Sequence, residues 1–286
     1  MSRRLLSFLA SRLPPRWIRW GGRLRDRFPV FSPVVQWLAR DLLAAEGIIR
    51  HGIGAGLRFD ARSGSAGYLF GTAEPQEQAA LAHYLKADDV FYDIGANIGF
   101  FAVLAARLVG SSGRVYAFEP NPACSSQVRR NADLNGFSHV EVVEAAVSST
   151  SGHARLRLGG TNLSSAIAGE SEPGIDVALI SVDDFMRDKS PRPPALVMID
   201  VEGAEIEVLR GMRETISRHR PVIMCEVHWI GEQFLKYCAE HLTPAGYTVR
   251  PLDGRDFSDE PSRFHALLLP GSASTGEPLG DRGQRQ

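Results

Sequence analysis

Residues 93–99, with the sequence DIGANIG, form the first segment whose residue types and spacing indicate ligand binding. Gly95 and Gly99 bracket a tight turn, and glycine lets the backbone approach a ligand closely. Asp93 could accept hydrogen bonds from a cofactor, or it could simply cap the following helix. A dinucleotide site would have the spacing GxGxxG, but the residue two positions after Gly95 is Asn97. The spacing therefore favours a cofactor with no phosphate.

A second acidic residue, Glu119, follows the next apolar segment, in the sequence FEP. It lies 24 residues after Gly95 (119 minus 95), close to the separation of about 20 expected for an acid that accepts the ribose hydroxyls of a nucleoside. A lone glutamate at a strand end is usually a solvated charge. Together, the glycine turn and this acid predict a nucleoside pocket.

Four more ionisable residues lie at the ends of two later apolar segments: Asp200, Glu202, Glu226 and His228. The members of each pair are two residues apart, and such residues point to the same face of a strand. They could bind a divalent cation, with Asp200, Glu226 and His228 as ligands. Alternatively, His228 could be a general base oriented by a carboxylate, or repulsion among the acids could raise one carboxyl pKa enough to make it the base.

A purely structural interpretation of the same residues also exists. Asp200 and Glu202 precede a predicted helix beginning near Ala204, where acids favour the helix N-terminus. We expect Glu205 and Glu207 to do no more than that. In this interpretation His228 is a partly buried histidine that is hydrogen-bonded locally.

Short apolar, β-branched segments alternate with helical patterns through the centre of the chain, which predicts an open, doubly wound α/β sheet. Since most of these segments are apolar on both faces, the sheet should be mostly parallel and covered on both sides. Ligands bind such sheets at the carboxyl ends of the strands, where the residues above lie. A C-terminal strand pair joined by a polar turn completes the sheet. The predicted strands are 90–94, 114–118, 140–147, 195–200, 221–228, 247–252 and 264–270.

The segment 153–182 is predicted to add strands at ARLRL and IDVALISV that border an acceptor pocket. Between them, Asn162, Ser164 and Ser165 are candidate acceptor contacts. Ser181, three residues before Asp184, resembles a helix cap without a chemical role.

Composition and charge predict the organisation of the whole chain. Residues 1–45 form a basic, helical extension with eight arginines and one acid in its first 30 positions. Residues 46–75 form a glycine-rich covering segment, 76–270 the core of the same domain, and 271–286 a disordered tail. The basic extension could lie on the domain or touch a membrane surface.

A net charge of −1 argues against nucleic acid as a partner. No apolar run approaches the roughly 18 residues that span a bilayer. The three cysteines lack disulfide or zinc spacing, which favours a reducing, cytoplasmic location.

Beyond these patterns, the chain resembles the FkbM family of methyltransferases. The resemblance runs in order from about residue 68 to 228 and is carried by VFYDIGANIGFFAVLAA, VYAFEPNP, NADLNG, VVEAAVSSTSG, SVDDF, VMIDVEGAEIEVLRGM and PVIMCEVH. It implies a class I methyltransferase, Rossmann-like fold and S-adenosylmethionine as methyl donor. It also implies a hydroxyl acceptor on a sugar, a glycan or another small metabolite.

By this resemblance, the cofactor contacts fall on the residues after the first three core strands. Asp93, Gly95, Asn97 and Gly99 would lie along the methionine part of the cofactor. Glu119 would hold the ribose, and the adenine would be bordered by Pro120, Asn121, Glu144 and Ala145. Asn121 is also expected to cap a helix, and the two roles are compatible. The alternatives to a methyltransferase are an NAD-dependent oxidoreductase and an inactive binding protein that keeps the cofactor fold.

Overall fold

The apolar, β-branched segments of the chain form strands, and the intervening amphipathic segments form helices. A computed structural model describes residues 46–62, 66–158, 165–167, 174–254, 256–257 and 263–271. The prediction of a basic helical extension over residues 1–45 falls outside these residues, as does that of a disordered tail over 271–286 apart from Gly271. The strands are β1 Glu46–Ile48, β2 Arg58–Asp60, β3 Val90–Ile94, β4 Arg114–Phe118, β5 Val140–Val143, β6 Ala146–Val147, β7 Gly152–Leu158, β8 Ser165–Ile167, β9 Ile175–Ile180, β10 Leu196–Ile199, β11 Val222–His228, β12 Tyr247–Pro251 and β13 Arg263–Pro270.

The helices occupy most of the connections between the core strands. The α-helices are α1 Ala66–Phe70, α2 Pro75–Tyr84, α3 Phe100–Val109, α4 Pro122–Asp133, α5 Val182–Lys189, α6 Glu205–Arg210, α7 Arg213–His219 and α8 Gly231–Tyr237. A short 3₁₀ helix spans Gly52–Gly54, and a π-helical turn, Cys238–Leu242, continues α8.

Seven strands form the central sheet in the order β12-β13-β11-β10-β3-β4-β5. The five strands from β11 to β5 are parallel, whereas β13 runs antiparallel to β11 and to β12. This confirms the predicted doubly wound, mostly parallel sheet with a C-terminal antiparallel pair. The strand order reverses between β3 and β10, so that a crevice opens beyond their carboxyl ends.

Each face of the sheet carries its own apolar core, because alternate strand residues point to opposite sides. Phe91 and Met198 belong to the core beneath α2, α3 and α4, whereas Tyr92 and Ile199 belong to the opposite core with α5, α6, α7 and α8. Burial on both faces explains why β3, β10 and β11 are apolar along nearly their whole length.

The structure corrects two predicted elements. Residues 140–147 do not form one strand. The Ala145 amide donates a hydrogen bond to the Val143 carbonyl, which makes a turn between β5 and β6. After this turn, β6 belongs to a separate four-stranded sheet with the order β6-β9-β7-β8. The helical pattern after β10 is interrupted at Gly211, where a Cβ would lie 2.0 Å from the Ser148 carbonyl oxygen. This close approach ends α6 before α7 begins.

The covering segment contains two short strands, β1 and β2, and a helix, α1. A partly buried polar cluster attaches it to α4. The Asp60 amide donates to Asn131 Oδ1 at 2.7 Å, and Arg130 Nε donates to Asp60 Oδ2 at 2.8 Å. The Asn131 amide group donates onward to the Ile98 carbonyl at 2.8 Å. Hydrogen bonds from Arg62 and Arg130 outweigh burial and lower the pKa of Asp60. The segment is thereby fixed beside the turn that follows β3.

The strands predicted between residues 153 and 182 are present as β7 and β9, which pair antiparallel. Ser181 caps α5 as predicted, because its hydroxyl accepts from the Asp184 amide at 3.0 Å. Asn162 and Ser164 lie outside the described residues, as does the side chain of Ser165. None of the helices within the described ranges is long and apolar enough to cross a bilayer.

Candidate active site

The glycine bend after β3 lies where three strand ends meet. Gly95 has φ +87°, and its amide donates to the carbonyl of Phe118 at the end of β4 at 3.0 Å. A Cβ at Gly95 would lie only 1.8 Å from the carbonyl oxygen of Asp200, beyond the end of β10. Any side chain here would force the neighbouring strand end aside. The bend therefore requires glycine for both its conformation and its packing.

The Glu119 carboxylate faces this bend and is held there by two backbone amides. Oε2 accepts from the amide of Asn97 at 2.8 Å, and Oε1 accepts from the amide of Asn121 at 2.8 Å. Asn97 has φ +51°, a left-handed conformation that turns its amide towards the acid. Burial raises the pKa of Glu119 to about 7, against the opposing effect of these two hydrogen bonds. These two hydrogen bonds fix the orientation of the Glu119 carboxyl group beside the bend.

Asp93 ends β3 as a buried carboxyl group beside the bend. Its Oδ2 atom has no hydrogen-bond partner among the described residues, and burial raises the pKa of Asp93 to about 7. A buried polar atom without a partner costs free energy, so this oxygen is suited to accept from a ligand group. Gly99, with φ +83°, lies at the N-cap position directly before α3.

The residues after β4 and β5 flank the same crevice. Asn121 caps α4 as predicted, because its Oδ1 accepts from the Ala123 amide at 3.0 Å, and Pro120 lies between it and Glu119. Ala145 is buried, whereas Glu144 is exposed. The Glu144 carboxylate accepts from the Ser125 hydroxyl at 3.0 Å and pairs with Arg129, both on α4.

The three predicted acidic residues surround His228, which lies at the end of β11. His228 Nε2 lies 3.3 Å from Glu226 Oε1, 3.8 Å from Asp200 Oδ1 and 3.9 Å from Glu202 Oε2. The prediction that Asp200 and Glu202 share a strand face is wrong, because β10 ends at Ile199. Glu202 instead reaches the cluster from a turn, in a left-handed conformation with φ +53°.

Glu205 was expected only to favour a helix N-terminus, and the structure corrects this. Its side chain is fully buried, and Oε1 accepts from His228 Nδ1 at 2.9 Å and from the Gly203 amide at 2.9 Å. The carboxylate therefore fixes the imidazole orientation and leaves Nε2 facing Asp200 and Glu226. The helical pattern could have indicated this burial, since Val208 and Leu209 show which side of α6 faces the core.

Three further members of the cluster were missed from the sequence. Antiparallel pairing places Arg263 and His265 of β13 opposite His228 and Glu226. Arg263 Nε donates to Glu226 Oε1 at 2.6 Å, and His265 Nε2 lies 3.3 Å from Glu226 Oε2 and 3.2 Å from Oε1 of the buried Glu77. The sequence could have indicated these two residues, because Arg263, directly before a predicted strand, and His265, within it, are two positions apart and therefore point to the same face of an extended chain.

The protonation states of the cluster follow from burial and these contacts. Burial opposes the charge of His228, but Glu205, Glu226 and Asp200 outweigh it and raise its pKa to about 10. Burial and the Glu226 carboxylate raise the pKa of Asp200 well above its ordinary value, against the effect of His228. Burial likewise opposes ionisation of Glu226, yet His228, His265 and Arg263 keep its pKa low. Neutral pH therefore favours an imidazolium beside an ionised Glu226.

The members of this cluster differ in solvent exposure. The side chains of Asp200 and Glu202 are 35% and 31% exposed, whereas those of His228 and Glu226 are 2% and 3% exposed. A substrate can therefore reach Asp200 and Glu202 directly. His228 and Glu226 lie behind them and set their charge environment.

The chain is similar in sequence to known methyltransferases. The family model described as Methyltransferase FkbM domain matches residues 93–249, more than half of the chain. The hexuronic acid methyltransferase AglP of Haloferax volcanii is 30% identical over 143 residues, which cover 50% of this chain and 57% of that protein. The 2-O-methyltransferase NoeI of Sinorhizobium fredii is 25% identical over 153 residues, which cover 47% and 62%.

A similar solved structure is the methyltransferase FkbM of Methylobacillus flagellatus, at 15% identity and a TM-score of 0.43. The match covers 71% of this chain and 53% of that one. The chain spans less than two thirds of the lengths of AglP and NoeI. Because the family model matches more than half of the chain, including the glycine bend and His228, the chain belongs to the FkbM family of methyltransferases.

Proposed function

We propose that this protein transfers the methyl group of S-adenosylmethionine to a hydroxyl oxygen of a sugar, a glycan or another small hydroxylated metabolite. The observation that carries the proposal is the Glu119 carboxylate, held by two backbone amides over a bend that only glycine can form. The names of two relatives, a hexuronic acid methyltransferase and a 2-O-methyltransferase, support an oxygen acceptor on a carbohydrate.

The residues around the bend fit this cofactor. Glu119 would accept both ribose hydroxyls, and the unpartnered Oδ2 of Asp93 would accept from the methionine part, beside Gly95, Asn97 and Gly99. The adenine would lie against Pro120, Asn121, Glu144 and Ala145. The absence of GxGxxG spacing disfavours an NAD-dependent oxidoreductase. When bound, the cofactor supplies a methyl group already activated by its sulfonium.

The protein must then position a hydroxyl group and accept its proton. We assign the proton to Asp200, because this carboxylate is accessible and its raised pKa brings it closer to the basicity that proton transfer at neutral pH needs. His228 cannot be the base while it is an imidazolium. It would instead stabilise the ionised form of Asp200, with Glu205 fixing its orientation and Glu226 its charge. Glu202, also exposed, would help to orient the acceptor.

A divalent cation is the second candidate for activating the hydroxyl group. One ligand atom each from Asp200, Glu226 and His228 lies within 4.8 Å of the others. However, Glu226 already accepts from Arg263 and contacts His265, and a cation would compete with these positive groups. Dialysis against EDTA discriminates between the two mechanisms. Turnover retained after dialysis supports proton transfer to Asp200, and turnover lost and restored by Mg²⁺ supports the metal.

The proposal is tested with purified protein, S-adenosylmethionine and a panel of methyl glycosides, by measuring release of S-adenosylhomocysteine. We expect Asp200→Asn to reduce kcat by at least about 100-fold, as expected for loss of a general base, without weakening S-adenosylhomocysteine binding. Glu207→Gln is the matched control, because Glu207 is on the surface of α6 and pairs with Arg210. Full turnover by a folded Asp200→Asn variant would disprove the role of Asp200.

A further inference from the structure

Trp229, directly after His228 at the end of β11, is a large aromatic side chain that the fold leaves in solvent. It is 68% exposed, and among the described residues the other exposed large apolar side chain is Ile48 on β1. The indole belongs to neither of the two apolar cores, although every residue of β11 before it is buried. Packing of the sheet therefore does not account for a tryptophan at this position.

The backbone at Trp229 has a conformation that bulky residues rarely adopt. Its φ is +59°, and the Ile230 amide donates to the His228 carbonyl at 2.8 Å, which closes a γ-turn centred on Trp229. A γ-turn with positive φ is rare and strained, and glycine would form it without the steric cost of a Cβ. Strained backbone of this kind is concentrated at active sites and ligand-binding sites. A tryptophan kept in such a turn, with its ring in solvent, points to a ligand for the indole.

The indole lies beside the accessible carboxylates of the His228 cluster. Its ring centroid is 5.5 Å from that of His228, whose Nε2 lies 3.8 Å from Asp200 Oδ1 and 3.9 Å from Glu202 Oε2. The indole Cε3 atom would also lie 3.8 Å from a Cβ at Gly203, the residue directly after Glu202. A molecule in contact with the indole is therefore within reach of the two carboxylates that a substrate can approach.

An exposed indole beside two accessible carboxylates matches the two kinds of surface that a sugar ring has. The C–H groups on one face of a pyranose carry partial positive charge and pack against the electron-rich face of an aromatic ring. Its hydroxyl groups donate hydrogen bonds to carboxylates such as those of Asp200 and Glu202. An acyclic polyol has the same hydroxyl groups but no preformed flat face, and it loses more conformational entropy on binding.

We propose that Trp229 is the platform on which the sugar ring of the methyl acceptor stacks, with a ring hydroxyl group directed towards Asp200. The inference rests on the proposed methyltransferase function. It narrows the acceptor from any small hydroxylated metabolite to a cyclic sugar, free or within a glycan.

The direct test compares Trp229→Phe, which keeps an aromatic face, with Trp229→Leu, which keeps only apolar bulk. Release of S-adenosylhomocysteine is measured with the most active of methyl glucopyranoside, methyl galactopyranoside and methyl mannopyranoside. We expect Trp229→Leu to raise KM about tenfold with kcat within about twofold, as for loss of a stacking contact made equally in the ground state and the transition state. Trp229→Phe should raise KM by less than about threefold, because an aromatic face remains.

Three outcomes of this comparison would overturn the proposal. They are an unchanged KM in folded Trp229→Leu, equal increases of KM in the two variants, and no methylation of any of the glycosides by protein that binds S-adenosylhomocysteine. Ile48→Ala is the matched control, because it removes the other exposed large apolar side chain from a different element. It should change neither KM nor kcat.

A second probe tests the preference for a ring. The alditol of the same sugar should have a kcat/KM at least about tenfold below that of the glycoside in the wild type, because it lacks the preformed face and must be ordered. The difference should shrink in Trp229→Leu. Equal kcat/KM for the two probes in the wild type would contradict a stacking platform.

Stability separates a binding role of Trp229 from a structural one. Trp229→Gly relieves the positive φ and removes a side chain that packs in neither core, so its free energy of unfolding should equal or exceed that of the wild type. Its KM for the glycoside should nevertheless rise about tenfold, as in Trp229→Leu. Lower stability of Trp229→Gly with an unchanged KM would show that the indole supports the fold instead.

The cofactor is a competing ligand for the indole, because an aromatic face also attracts a sulfonium cation. The proposal predicts that Trp229→Leu binds S-adenosylmethionine and the uncharged sulfur of S-adenosylhomocysteine with unchanged affinities in calorimetry. A selective loss of affinity for S-adenosylmethionine would place the indole against the cofactor and overturn the proposal.

Failure of this inference is distinguishable from failure of the proposed function. If calorimetry detects no binding of S-adenosylhomocysteine by the wild type, the methyltransferase assignment itself fails. If the cofactor product binds but the ring preference or the effects of the Trp229 variants are absent, only the stacking platform is wrong.

Discussion

The charge state of His228 is the residue-scale feature on which the account of the chemistry depends. Its pKa is raised from 6.5 to about 10 by contacts with Glu205, Glu226 and Asp200, despite the opposing effect of burial. The folded protein therefore binds a proton here more tightly than the unfolded chain does. Protonation of His228 contributes stability that is fully present below pH 6.5 and is lost as the pH rises through about 10.

The pH dependence of stability tests this charge state. We expect the free energy of unfolding to fall between pH 7 and 10 in the wild type, and to fall less steeply in His228→Gln, which has no titrating imidazole. Urea unfolding of both proteins at several pH values provides the comparison. Parallel pH profiles for the two proteins would show that His228 is not held as a cation.

Glu205 provides a second residue-scale prediction. Glu205→Ala removes the partner of His228 Nδ1 and should cost about 3–5 kcal/mol of stability, the range for breaking a buried ion pair. Glu207→Ala, two positions along α6, should cost no more than about 0.5 kcal/mol, because it removes only a surface pair. Chemical denaturation of the two variants measures the difference. Equal losses of stability in the two variants would show that Glu205 only favours the helix N-terminus, as expected from the sequence alone.

The glycine bend is the element that brings the ends of β3, β4 and β10 together. Gly95→Ala combines an unfavourable positive φ with a Cβ 1.8 Å from the Asp200 carbonyl oxygen. We expect it to cost more than about 3 kcal/mol, since the left-handed conformation alone costs about 1–2 kcal/mol. Gly136→Ala, after α4, isolates that backbone cost, because its φ is +67° but no atom lies within 4 Å. If the two substitutions reduce the free energy of unfolding equally, the close packing of Gly95 against the Asp200 carbonyl group is contradicted.

The elements themselves were largely predictable, because periodicity reports local burial. Both β3 and β4 have the predicted bounds. The sequence could not show that Val143 and Ala146 belong to different sheets, since that depends on a turn and on pairing with β9. Nor could it place Arg263 and His265 against Glu226, because the register of an antiparallel pair brings together residues about 40 positions apart. Both features depend on the pairing of strands that are distant in sequence.

On the scale of the whole molecule, the residues proposed for the cofactor and the His228 cluster lie on opposite sides of the reversal in strand order. The residues proposed for the nucleoside follow β3, β4 and β5, on one side of the point where the strand order reverses. The His228 cluster lies on the other side, at β10, β11 and β13. Asp200 stands next to the bend through the contact of its carbonyl group with Gly95. Methyl transfer would therefore occur at the junction between the two halves.

Binding of the cofactor product should stabilise the whole fold, because the nucleoside pocket joins strand ends that separate on unfolding. At a ligand concentration of about 100 times Kd, the gain is about 2.7 kcal/mol. We expect S-adenosylhomocysteine to raise the Tm by several degrees and NAD to leave it unchanged. The reverse pattern in thermal unfolding would favour the oxidoreductase.

The most direct test of the central claim is calorimetric titration of the full chain with S-adenosylhomocysteine, alongside the Glu119→Gln variant. The account predicts one binding site in the wild type. It also predicts a loss of at least about tenfold in affinity for a folded Glu119→Gln variant, because hydrogen bonds to a charged group contribute about 1.5–3 kcal/mol. No detectable binding by the wild type, or the same affinity in both proteins, would contradict a nucleoside pocket built on Glu119 and the glycine bend.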